Sequence, residues 1–167
     1  MFRLDIYMEK WAMTYKGMLH TEENPRFFRC NSEFTVDQFL NEYQDMNEPV
    51  CGIVTHLEGA IDVPKRINRP KYSCLFMARA DPDNYKEQAD AKYKCFENAY
   101  AFLVKLDYDR QMAARESRTN PLSAIDLSDI TYDMIGPVAS NGWFELIVTL
   151  KSSEHTPGCY SPEDYIE

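Results

Sequence analysis

The chain is short of glycine, of paired cysteines and of positive charge, and each shortage closes off a class of function. Only six glycines occur in 167 residues, and none stands in a Gly-x-Gly or Gly-Lys-Ser/Thr arrangement. Backbone cradles for phosphate need glycine so that amide groups can approach the anion, so nucleotide binding through either common loop is disfavoured. The five cysteines (Cys30, Cys51, Cys74, Cys95 and Cys159) are odd in number and far apart. That spacing suits neither a disulfide framework nor a zinc ribbon, and reduced, buried thiols are expected. Lys and Arg number 18 against 27 Asp and Glu, a formal charge of −9. A broad grip on nucleic acid needs clustered cations, so direct nucleic-acid binding is not expected.

Long apolar runs are missing too. The best, Phe144 to Leu150, is broken by Glu145 and Thr149, and the first ten residues are interrupted by charges. Neither a membrane span nor an export signal is expected, which makes the cytoplasm the expected compartment.

What is present reads as one globular domain. The chain is 44% hydrophobic and 27% charged, too apolar for disorder. Leu4, Met8, Trp11, Tyr15 and Met18 recur at steps of three and four, which predicts an amphipathic first helix. A short extended piece follows over 26–30. Thr35 and Gln38 have capping-box spacing, with Phe34 and Phe39 placed as a hydrophobic staple, so a second helix is predicted up to Pro49. Val50 to Val63 and Lys71 to Ala78 read as strands, with Gly52 and Gly59 at bulges or bends and a long basic loop, 64–70, between them.

A third helix is predicted from Pro82 to about Ala114, with Asp81 as its cap. Tyr85, Ala89, Tyr93, Phe96, Tyr100 and Leu103 follow at helical spacing as its apolar face, widened by Ala99, Phe102 and Leu106. After a loop over 119–128, Asn141-Gly142 marks a hairpin between Ile130–Val138 and Trp143–Leu150. The expected fold is therefore α+β, in the order α-β-α-β-β-α-β-β. It comprises a mainly antiparallel sheet of four to five strands with three helices packed on it. A single α/β domain is expected over 1–151 and an irregular tail over 152–167.

Catalytic patterns do not assemble. His56 with Glu58 is half of a zinc-deaminase pattern whose Pro-Cys-x-x-Cys half is absent. No Gly-x-Ser-x-Gly elbow occurs. The acidic groups at Asp81/Asp83, Asp107/Asp109 and Asp126/Asp129/Asp133 lack the glycine and terminal glutamate of a calcium loop and read as solvated faces. No cofactor and no metal are expected.

The remaining candidates are contact residues. Lys65, Arg66, Arg69 and Lys71 form the one basic cluster and suit phosphate or an acidic partner surface. Trp143 and Ile147 lie on the outer face of the last strand, and Tyr160, Tyr165 and Ile166 give the tail apolar grip.

The two strands, the helix from Pro82 to Ala114 and the hairpin with Met134-Ile135-Gly136-Pro137-Val138 and Asn141-Gly142-Trp143 resemble the small α/β neck and tail-completion proteins of tailed phages and prophages. The resemblance covers roughly residues 50–151 and is one of topology; the N-terminal helix pair has no counterpart in it. It implies a ring-forming virion subunit, and carries no functional residues across. Together these features favour a non-enzymatic structural or assembly protein that self-associates into a homo-oligomer or ring, in the cytoplasm or in a virion. The competing readings are a ligand-binding or enzymatic domain using His56, Glu58 or Tyr72, and an acidic regulator of a basic protein.

Overall fold

The computed structural model describes residues 2–30, 46–117, 120–138 and 142–155. The chain runs α1 (Leu4–Thr14), β1 (Phe27–Cys30), β2 (Val50–Asp62), β3 (Ile67–Arg79), α2 (Tyr85–Glu116), a 3-10 turn (Pro121–Ala124), β4 (Ile125–Val138), β5 (Trp143–Ser152) and β6 (Glu154–His155). The strands make one sheet in the order β1-β2-β3-β5-β4, with β6 also on β3.

The sheet is mixed and six-stranded, which corrects the expectation of a mainly antiparallel sheet of four to five strands. β1 pairs with β2 in parallel, Phe27 beside Cys51 and Cys30 beside Val54. A parallel pair requires a crossover of a dozen or more residues, and residues 31–49 supply that length. The extended piece around Phe27 thus has a partner that hairpin logic did not assign. Two α-helices are present among the described residues, not three. The predicted helix beginning at Thr35 falls at 31–45, outside them, and Met46 to Pro49 are not helical.

β6 is a resumption of β5. Lys151 pairs with Lys71 and Glu154 with Asn68 in one unbroken frame. The ladder lapses opposite Arg69 and Pro70, where proline has no N–H to give, and the Ser153 N–H donates to the Ala124 carbonyl instead (3.1 Å). The expected irregular tail therefore begins with ordered strand. In β2, the irregularity lies between Val54 and Glu58, not at either glycine. Gly52 answers a different need: a Cβ there would meet the Phe28 ring at 2.5 Å, so its bare backbone lets that ring lie across the strand.

Both helices lie on one sheet face. Leu4, Met8 and Trp11 of α1, Phe102 and Leu106 of α2, and Phe76, Phe144 and Leu146 of the sheet form the main core. Trp11 makes edge contacts with Phe76 and Phe102, at 6.1 and 5.3 Å between centroids, the geometry that aromatic quadrupoles favour. The opposite face carries a smaller cluster of Phe28, Cys30, Val50, Leu75, Met77 and Trp143. No helix among the described residues is long and apolar enough to cross a membrane.

Candidate docking surface

Helix α2 starts one turn later than predicted. Its cap is Asn84, whose side-chain oxygen accepts from the N–H groups of Lys86 (3.1 Å) and Glu87 (3.3 Å). Asn84 Nδ2 in turn donates to Glu87 Oε1 at 2.7 Å. This reciprocal arrangement satisfies donors that the helix itself leaves open. Asp81 instead folds the approach, accepting from the Asp83 N–H at 2.9 Å.

From there α2 runs for 32 residues, roughly 48 Å at 1.5 Å per residue. Its buried side is made of Ala91, Cys95, Asn98, Ala99, Phe102, Leu106 and Ala113. Most of these are small, and the reason is proximity. The helix lies close on β3 and β5, near enough for Cys95 Sγ to donate to the Phe144 carbonyl at 3.4 Å. Rings from α1 and the sheet fill the space beneath. Phe102 and Leu106 reach into that core, and most of the remaining large side chains of α2 are not taken up beneath it.

The larger side chains therefore face outward. Tyr93 is 65% exposed, Phe96 44%, Tyr100 62%, Val104 51% and Tyr108 60%, with Met112 next in the row. This corrects the prediction for the helix: of its apolar belt only the Ala99, Phe102 and Leu106 side is core. The signal available in the sequence was the width of that belt, which exceeds what one buried face of a helix requires.

The row is ordered by its own contacts. The rings of Phe96 and Tyr100 lie nearly parallel, 11° apart with centroids at 6.3 Å. Phe96 also meets Tyr132 of β4 edge-on at 6.1 Å. β4 is a terminal strand of the sheet, and Tyr132 is exposed on the face that carries the helices. Helix and edge strand thus join in one apolar surface, in a chain that otherwise carries a net charge of −9.

The base of α2 is held from α1. Tyr7 donates to Asp109 Oδ2 at 2.8 Å, and Lys105 pairs with the same carboxylate. Burial and the neighbouring Asp109 charge keep the Tyr7 phenol protonated, well above the ordinary tyrosine range. Arg29 of β1 bridges Asp5 (3.0 Å) and Glu9 (2.8 Å) on α1, and Arg3 pairs with Asp5. Hydrogen bonds from these guanidinium groups outweigh desolvation and hold the Asp5 carboxyl well below its usual range.

The contact residues read from the sequence are dispersed. Lys65 and Arg66 stand in a tight turn between β2 and β3, where the Lys65 N–H donates to Asp62 Oδ1 (3.1 Å) and its ammonium pairs with the same residue. Arg69 and Lys71 belong to β3 itself, so the expected long basic loop is a short turn followed by strand. Trp143 is fully buried in the smaller cluster, and Ile147 is half-buried against it. Neither is free for docking. Tyr160, Tyr165 and Ile166 lie outside the described residues.

Chemistry does not gather elsewhere in the described residues. No group of three His, Cys, Asp or Glu side chains is placed to hold a metal ion. Burial pushes the Cys30 thiol up to about 11 and those of Cys74 and Cys95 to about 12, with Cys51 also raised. Protonated thiols at neutral pH are poor nucleophiles. Tyr72 is occupied structurally, its hydroxyl donating to the Phe2 carbonyl (3.2 Å) beside the buried Glu154 carboxylate. An open groove of about 590 Å³ at the end of β3 is lined by Arg79, Asp81 and Glu87, and Glu87 there is committed to the helix cap.

Compared with known proteins, the chain matches no family model and no curated protein.

Proposed function

We propose that this protein is a non-enzymatic structural or assembly subunit that works through protein–protein contacts made on the outward row of α2. The observation that carries this reading is the exposure of Tyr93, Phe96, Tyr100, Val104 and Tyr108 along one line of a helix whose other side already supplies the core. Tyrosine is enriched at protein interfaces because its ring desolvates well while its hydroxyl keeps a partner. Contiguous apolar surface rimmed by charge marks an interaction site. The topological resemblance to phage neck and tail-completion proteins supports the same reading, and makes a virion assembly subunit the form of it that we favour.

A photo-crosslinking residue at Tyr100 tests the assignment, with one at the exposed Lys10 on α1 as the control. The full chain in its producing cell yields a discrete covalent protein adduct from position 100 and none from position 10. Equal adducts from both positions, or none from either, remove the docking role of this face.

A further inference from the structure

We infer that the tip of the β2–β3 hairpin docks, head to tail, in the groove at the far end of β3 of a second copy of this chain. The inference is independent of the α2 row and assigns a separate contact.

Charge supplies the first argument. Residues 59–71 carry Lys65, Arg66, Arg69 and Lys71 against one acid, Asp62, a net of +3 in a chain of −9. Lys65 pairs with Asp62 at 3.5 Å. Among the described residues, Arg66, Arg69 and Lys71 form no ion pair. Beyond the other end of β3, residues 81–90 carry Asp81, Asp83, Glu87 and Asp90 against Lys86, a net of −3. Asp81, Glu87 and Asp90 border the groove there, with Arg79 and Lys94 as its cations. Opposite fields of this kind steer two surfaces together and fix their orientation.

Shape supplies the second. Ile61 and Val63 are 75% and 74% exposed, the most exposed large aliphatic side chains among the described residues. The turn that presents them is fixed. The Arg66 N–H donates to the Val63 carbonyl (3.1 Å), and the Lys65 N–H to Asp62 Oδ1 (3.1 Å). Arg66 itself has a φ of 54°, a left-handed conformation that costs any residue but glycine. A strained arginine thus stands at the apex beside two exposed aliphatics. The groove offers small apolar groups between its charges, Ala80 and Pro82. An adjoining hollow of about 230 Å³ adds Ala78 and Ala91. The groove's volume of about 590 Å³ lies within the range that takes up a bound molecule, and so admits a few side chains of a hairpin tip.

Placement decides the partner. β3 runs from Ile67 to Arg79, which sets tip and groove roughly 40 Å apart at 3.3 Å per residue. The tip cannot enter its own groove. A contact between two different patches is heterologous, and each added copy leaves one tip and one groove open.

Sedimentation equilibrium of the full chain across a concentration series tests the inference against the monomer mass of 19.5 kDa. The mean mass of the wild type rises with concentration beyond two chains. A tip variant, Arg66→Ser with Arg69→Ser, weakens association roughly tenfold or more, as does a groove variant, Asp83→Asn with Asp90→Asn. All four side chains are exposed, so unchanged circular dichroism certifies each fold. Mixed in equal amounts, the two variants associate again, because one retains the tip and the other the groove. Their assembly stops at two chains.

A wild type that stays at one chain mass throughout overturns the inference, as does association indifferent to both variants. Weakening by the tip variant alone overturns the groove as its acceptor. A mixture that associates no better than either variant overturns the head-to-tail contact. A photo-crosslinking residue at Val63 yields a two-chain adduct; an adduct with a different protein, or none, overturns the second copy as occupant.

Discussion

Phe96 of α2 stands edge-on to Tyr132 of β4, their ring centroids 6.1 Å apart. This contact joins the outward row of the long helix to the terminal strand of the sheet. It lies on the solvent side of the helix, away from the Phe76–Phe102–Trp11 group of the core. The molecule therefore has two aromatic systems, one holding the fold and one facing out, with α2 between them.

The two systems differ in what their loss costs. Phe102 is fully buried, and Phe102→Ala is expected to destabilise the fold by about 3–5 kcal/mol, the range for emptying an aromatic core site. Tyr93→Ala, about two and a half turns away on the outward side, is expected to change the stability of the monomer by no more than about 0.5 kcal/mol. Urea denaturation in dilute solution, read by circular dichroism, measures both.

Gly52 is the narrowest point of the second cluster. Because a Cβ there would fall 2.5 Å from the Phe28 ring, Gly52→Val must displace that ring from the sheet. A loss of about 1–3 kcal/mol is expected, the usual cost of overpacking. Combining it with Phe28→Ala should recover part of the loss in the same denaturation assay.

His20 gives the fold a pH dependence. Its Nδ1 accepts from the N–H groups of Arg26 (3.0 Å) and Phe27 (3.3 Å), positioning the start of β1. Burial lowers its pKa below the ordinary 6.5, against a smaller raising effect of Glu9, with Arg29 adding to the lowering. A lowered folded value means that the unfolded chain takes up the proton first. The stabilisation is present above pH 6.5 and is lost as pH falls through the folded value. Denaturation midpoints at pH 7.5 and at about pH 5.5 should differ more for the wild type than for His20→Gln.

Much of this fold was legible in local pattern. α1, the strand pair β2 and β3, the long helix and the last hairpin all follow from periodicity and turn chemistry, because those signals act within a few residues of themselves. The parallel pairing of β1 was not legible, since Phe27 to Cys30 is too short to declare a partner and its neighbour lies across a crossover. The docking surface was misread for a related reason. Periodicity marks which residues of α2 are apolar, but it does not say which side meets the sheet. The large aromatics drew the assignment, whereas the close approach of α2 to β3 and β5 admits Ala91, Cys95 and Ala99. Trp143 was misplaced likewise, because strand alternation reveals two faces and not that both of them carry apolar clusters.

The orientation of α2 underlies the whole account, and thiol labelling of the folded chain in dilute solution tests it most directly. Relative to the unsubstituted chain, in which Cys30, Cys51, Cys74 and Cys95 are buried, Tyr93→Cys and Tyr100→Cys should each add one fast-reacting equivalent, and Ala99→Cys none. Rapid labelling at position 99 with protection at 93 and 100 would place the aromatic row against the sheet and contradict the account.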